Sequence, residues 1–205
     1  MKERAAVYYL YHSGFAVKTK EHFLIFDYYN DKPDSGERNI NNGVISAEDL
    51  EQHDNVCVFV SHSHYDHFNP IIFQWAEANP KIRYFLSSDV QTQEDNPNCY
   101  KMDPYQEIVQ EDIRVKTYGS TDEGVSFCVE LDGLNIFHAG DLNCWYWYYE
   151  STPEELEEDY QKFVVEMEKI KGEKIDVAFF PVDPRLKEYY YMGGEYFIKH
   201  MEPEI

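Results

Sequence analysis

No apolar run in this chain approaches the roughly 20 residues needed to span a bilayer. Met1-Lys2-Glu3-Arg4 leads straight into a strand-like segment, with none of the apolar stretch of a signal peptide. A cytoplasmic location is expected, with no membrane partner. Cations are scarce as well: 18 Lys and Arg stand against 39 Asp and Glu, a formal net charge of -21. A field of that sign repels phosphate backbones and removes the main source of non-specific nucleic-acid affinity, so no nucleic-acid partner is expected. Much of the acidity falls between Glu154 and Glu173, where a solvated helix face accounts for it. Cysteine is limited to four residues without a CxxC spacing, and Cys57 and Cys128 sit inside apolar strand patterns. Buried thiols and no disulfides are expected.

What is present suffices for a core. Of 205 residues, 43% are hydrophobic and 17% aromatic, which argues against disorder and for one domain spanning 1–205. The apolar patterns predict strands at Ala6 to Tyr11, Phe15 to Thr19, Phe23 to Asp27, Val56 to Val60, Arg83 to Leu86, Ile113 to Tyr118, Val125 to Leu131, Leu134 to Phe137 and Val177 to Pro181. Asn69-Pro70 opens a helix to Ala78, the Thr152-Pro153-Glu154-Glu155 capping box opens a longer one to Gly172, and Gly194 to His200 forms a last. Strands in two groups with helices between and after them predict an α/β protein, a four-layer αββα sandwich.

Ser61-His62-Ser63-His64-Tyr65-Asp66-His67 places three imidazoles and a carboxylate at the carboxyl end of the buried strand Val56 to Val60, ahead of the capped helix. Residues two apart on an extended chain face the same way, so His62 and His64 can converge on one ion, while Asp66 and His67 in the following turn serve a second.

This motif resembles the His-x-His-x-Asp-His signature of the metallo-β-lactamase superfamily. Tyr11-His12-Ser13-Gly14-Phe15 followed by Leu24-Ile25-Phe26-Asp27 is similar to the opening of the branch that includes ascorbate-6-phosphate lactonase. Phe137-His138-Ala139-Gly140-Asp141 is similar to the later Gly-Asp motif. The resemblance implies a metallo-β-lactamase-like fold and up to two divalent ions, zinc first among them, with Asp141 bridging. It also implies a third histidine for the first ion, yet Tyr118-Gly119-Ser120-Thr121-Asp122-Glu123-Gly124 has none, which leaves Asp122 as the substitute, with Glu123 next. A last histidine belongs on a C-terminal strand, and the sequence ends at Glu202-Pro203-Glu204-Ile205 where that strand is expected to begin.

The expected metal set is therefore His62, His64, Asp66, His67, Asp141 and Asp122, and Asp66 and Asp141 orient a metal-activated water as catalytic residues. Arg185 in Pro181-Val182-Asp183-Pro184-Arg185 can fork onto a substrate anion, or equally face solvent from an Asp-Pro turn. His12 can approach the site from the first strand pair, although lone histidines are often structural. The run Trp145 to Tyr149 either walls the pocket or packs under the long helix. These residues predict hydrolysis of a small, anionic lactone or phosphoester. A fold kept for ligand binding or sensing without turnover is the alternative.

Overall fold

The computed structural model describes residues 4–33, 35–92 and 96–204, so the expectations drawn from Met1-Lys2-Glu3 and from Ile205 lie outside it. Contacts fall into two compact units, Met1–Met102 and Asp103–Ile205. The first is built on a six-stranded sheet of β1 (Ala6–Tyr11), β2 (Gly14–Lys18), β3 (His22–Phe26), β4 (Asn55–Val60), β5 (Arg83–Ser87) and β6 (Cys99–Met102), side by side in that order. β1 to β3 form an antiparallel meander, and β3 to β6 run parallel.

Alternation along β4 explains why this sheet is apolar on both faces. Val56, Val58 and Val60 join Tyr28, Trp75 and Tyr84 in a core cluster. Phe59 points the other way, into a stack with Phe26 on β3 and Phe85 on β5 at 4.6 and 5.1 Å. Register puts these rings directly opposite one another, so the ladder pins the strands that carry the histidine motif. Elements that escaped the sequence patterns here include β6 and the short helix α1 (Ala47–Glu51), which Ser46 and Asp49 cap reciprocally. The expected helix after Asn69-Pro70 is a 3-10 helix over Pro70–Glu77, with the Asn69 side chain accepting from the Ile71 amide at 3.0 Å.

The second unit carries a five-stranded sheet in the order β11 (Val177–Phe179), β10 (Leu134–His138), β9 (Ser126–Leu131), β8 (Ile113–Tyr118) and β7 (Glu107–Gln110). Only the β10/β11 pair is parallel. α2 (Pro153–Ile170) starts at the expected capping box and buries Leu156, Phe163, Met167 and Ile170, while α3 (Met192–Met201) adds Phe197 and Met201 to the same cluster. Gly172 ends the α2 segment at φ 97, which glycine adopts without a Cβ penalty. The four cysteines are free thiols, as expected. Among the described residues no helix is long and apolar enough to cross a membrane.

Glu173 and Asp176 tie this unit together electrostatically. Burial alone raises their pKa values, but Lys116 and Tyr118 for Glu173, and Asn135 and Lys174 for Asp176, outweigh it and hold both carboxyls below their ordinary values. A depressed folded-state pKa contributes stability that is complete above the unfolded value and is lost as pH falls through the folded one. The contribution of these two carboxylates to the unfolding free energy is thus expected to be flat from neutrality to about pH 5 and to fall below about pH 4. Glu173→Gln should lower it at neutral pH and flatten the acid limb. Urea titrations across that range check this, and an unchanged slope in the variant refutes it.

Candidate metal centre

Asp27 organises the histidine motif. It follows β3 directly and adopts the left-handed region at φ 43. Its carboxylate, 1% exposed, lies under the start of the motif loop. Oδ1 accepts the Ser61 backbone N–H at 2.7 Å, and Oδ2 accepts the Ser61 hydroxyl at 2.7 Å and His67 Nδ1–H at 2.8 Å. Because the Ser61 hydroxyl gives its proton to Asp27, its lone pairs receive His62 Nδ1–H, 3.0 Å away. One buried carboxylate therefore sets the tautomer of two imidazoles and makes Nε2 the basic nitrogen of each, the form a cation binds.

The rest of the loop is fixed by backbone bonds. The His64 carbonyl accepts from the amides of His67 and Phe68 at 3.0 Å each, turning the chain so that His67 returns beneath His62. Their ring centroids lie 4.0 Å apart, against 4.7 Å for His62 and His64. Asp89 accepts the Ser63 amide at 2.7 Å. Burial pushes the Asp89 pKa up, but hydrogen bonds from Ser87 and Ser63 hold it below the usual value. His62 and His67 are buried and His64 is exposed.

Asp66 and His67 meet a partner the motif does not contain. His12, at the β1–β2 turn, brings Nε2 to 3.5 Å from Asp66 Oδ2, and its ring stands edge-on to His67 at 5.1 Å. His12, Asp66 and His67 can present one donor atom each, all within 4.8 Å of one another. Two imidazole nitrogens and a carboxylate oxygen suit a divalent transition metal, and the tautomer control by Asp27 matches what such ligands need, so the residues present fit a metal ion.

In the second unit, Asp141 follows β10 through Gly140 at φ 54, a turn steadied where the Gly140 amide donates to His138 Nδ1 at 3.2 Å. Asp141 lines a cavity of about 340 Å³ with Asp122, Trp145, Trp147, Lys162 and Arg185. Of the five-residue aromatic run, Trp145 and Trp147 line the cavity and only Tyr146 packs against the core cluster that contains α2. Successive i to i−2 backbone hydrogen bonds from Tyr146, Trp147 and Tyr148 make a two-residue ribbon. Trp145 and Trp147 stack at 7° along the cavity, while Tyr146 and Tyr148 turn to Tyr189.

Arg185 is exposed at the Asp-Pro turn, where its Nε donates to Asp183 Oδ2 at 2.7 Å and its guanidinium lies over Trp147 at the cavity. Cys144 is packed in the α2–α3 core, and burial pushes its thiol up to about 12. Sequence reasoning passed over Asp27, Asp89 and Lys162. The available signal for Asp27 was its place at the carboxyl end of an unbroken apolar strand, which it shares with Asp141.

Residues 6–146 match the family described as Beta-lactamase superfamily domain. No curated protein matches the chain. Among solved structures it is similar to one from Parabacteroides distasonis, provisionally assigned as a metal-dependent hydrolase, at 16% identity and a TM-score of 0.55, covering 87% of this chain and 70% of that one. A metallo-beta-lactamase from Staphylococcus aureus aligns at 14% identity and TM-score 0.55, over 100% of this chain and 63% of that one. CmlA, a diiron beta-hydroxylase from Streptomyces venezuelae, aligns at 12% identity and TM-score 0.55, over 99% of this chain and 44% of that one. At such identities the likeness is one of fold, and the chain spans less than two thirds of the latter two proteins.

Proposed function

This chain belongs to the beta-lactamase superfamily domain family, and from that premise we propose that it is a cytoplasmic metal-dependent hydrolase of a small anionic lactone or phosphoester. The observation that carries the proposal is the relay from Asp27 through Ser61 to His62 and directly to His67. A buried carboxylate that fixes two imidazoles as nitrogen donors serves metal binding, and a purely structural histidine has no need of it.

A bound divalent ion, with zinc favoured by the nitrogen-rich donor set, lowers the pKa of a water to about 7 and polarises the bond under attack. His62, His64, Asp66 and His67 would hold up to two such ions, and the family motif leads one to expect Asp141 and Asp122 among the further donors. Asp66 and Asp141 would orient the attacking water.

In the cavity, Lys162 and Arg185 offer positive charge to an anionic substrate group, and the parallel faces of Trp145 and Trp147 suit a flat ring. Both cations already touch carboxylates, Lys162 at Glu158 and Asp159 and Arg185 at Asp183, so a substrate anion enters an existing network. That chemistry agrees with a branch similar to ascorbate-6-phosphate lactonase.

The test is hydrolysis of a panel of lactones and phosphodiesters by protein loaded with zinc, manganese or iron(II). Turnover is expected to need the metal and to fall at least about 100-fold in Asp66→Ala with the fold retained. Protein that takes up no stoichiometric divalent ion under any loading condition defeats the proposal. Ligand binding without turnover is the second reading. It draws on the stretch Gly119 to Asp122, where the Gly119 amide donates to Glu166 at 2.7 Å in a region without histidine. Metal uptake with no hydrolysis anywhere in the panel favours it.

A further inference from the structure

We propose that His12 is a metal ligand, completing with Asp66 and His67 a three-donor site for a divalent transition-metal ion. The inference rests on the metal-dependent reading above and adds a donor from outside the histidine motif.

Distance is the first argument. His12 Nε2 and Asp66 Oδ2 stand 3.5 Å apart, the outer limit of a hydrogen bond. Donors about 2.0–2.1 Å from one tetrahedral ion stand about 3.3–3.4 Å from each other, so the pair has the spacing of two ligands of one metal. His67 supplies the third donor within the same 4.8 Å sphere. Asp27 holds its ring through Nδ1, which presents Nε2. The side chains of His12 and Asp66 are 41% and 34% exposed, leaving solvent access for the open position of a catalytic-type site.

The backbone is the second argument. Tyr11 and His12 both have positive φ, 87° and 53°, in a hairpin whose register shifts between Tyr9 and Tyr11. At Tyr11 this costs roughly 1–2 kcal/mol, while histidine enters the left-handed region more often than most residue types. Gly14 then packs so closely that a Cβ would lie 2.9 Å from the Tyr11 carbonyl oxygen and 3.0 Å from that of Asp27. The hairpin tip that carries His12 is thus seated on the residue that orients His67.

The donor set, two imidazoles and one carboxylate, accepts zinc as well as iron(II) or cobalt(II). His12 answers the gap left by the sequence, where Asp66 and His67 had no third side chain of their own.

His12→Gly is the informative variant, because glycine relieves the backbone while removing the ligand. The apo variant should melt at or above the wild-type temperature. One zinc equivalent should bind more than about 100-fold more weakly by calorimetry, beyond the 10–100-fold typical of outer-shell partners. The visible bands of the cobalt(II)-loaded protein should change and return on adding imidazole. His67→Ala serves as the reference for loss of the same ion. If His12→Gly keeps wild-type zinc affinity and an unaltered cobalt spectrum while His67→Ala loses the ion, the assignment of His12 is wrong and the metal-dependent reading survives. An affinity loss below about tenfold with an unaltered spectrum means that His12 only positions Asp66, and it also overturns the assignment. Wild-type protein that binds neither zinc nor cobalt overturns both.

Discussion

Asp27→Ala is expected to destabilise the metal-free protein by about 3–5 kcal/mol and to weaken zinc binding by about 10–100-fold. The carboxylate is 1% exposed and accepts three hydrogen bonds, from the Ser61 amide, the Ser61 hydroxyl and His67 Nδ1. Truncation leaves those donors in a site where water does not replace the lost acceptor, and each buried group without a partner costs about 1–3 kcal/mol. It also removes the proton acceptor that fixes both imidazoles, so His62 and His67 populate the wrong tautomer part of the time. Asn at this position keeps the shape and one acceptor oxygen but turns an NH₂ toward a donor, so it should recover some stability and little metal affinity. Ser61→Ala removes the hydroxyl that joins Asp27 to His62, leaves the direct Asp27–His67 bond in place, and should cost about 1 kcal/mol. Urea unfolding with zinc titration on the three variants checks the order. Wild-type behaviour in Asp27→Ala would falsify the relay.

The part of this arrangement legible in the sequence is the part that is local. His62, His64, Asp66 and His67 stand within six positions after an apolar strand, and strand and loop both sit where pattern and motif place them. Asp27 lies 40 residues from His67, and its place at the end of an apolar strand does not reveal which partners it holds. His12 was readable as a candidate, but its pairing with Asp66 depends on a hairpin turn with two left-handed residues, and neither Tyr nor His signals such a turn.

The strands that escaped, β6 and β7, are both outermost in their sheets. Cys99-Tyr100-Lys101-Met102 and Glu107-Ile108-Val109-Gln110 carry polar residues that an outer strand tolerates, and this dilutes the period-two signal. α1 is a single capped turn and a half, too short for helical periodicity to appear. Helix type after Asn69-Pro70 was not readable either, since the N-cap and proline chemistry that starts an α-helix starts a 3-10 helix equally well.

The stretch from Tyr118 to Gly124 also held more than its composition suggested. Glu166 on α2, 6% exposed, accepts from the Gly119 amide at 2.7 Å, the Tyr105 hydroxyl at 2.8 Å and Lys169 Nζ at 2.8 Å. The carboxylate fastens the helix to the end of β8, two residues before Thr121, which lines the cavity and bonds the Asn143 carbonyl at 2.6 Å. Gly119 is where this approach is possible, because a Cβ there would meet Glu166 Cδ and both carboxylate oxygens at 3.0 Å. Glu166→Ala is therefore expected to cost about 1–3 kcal/mol, chiefly because it strands the buried Gly119 amide, while the Tyr105 hydroxyl and Lys169 are exposed enough to meet water. Gly119→Ala should cost a similar amount, about 1–3 kcal/mol, by forcing the carboxylate outward. The double variant decides between this account and simple loss of packing. With no carboxylate to displace, the added methyl meets no obstacle, so Glu166→Ala/Gly119→Ala should be no less stable than Glu166→Ala alone, a coupling equal to the whole cost of Gly119→Ala. Additive losses in urea unfolding of the four proteins would show that the two residues act separately, and the tie between α2 and the cavity-lining loop would then rest on something other than this carboxylate.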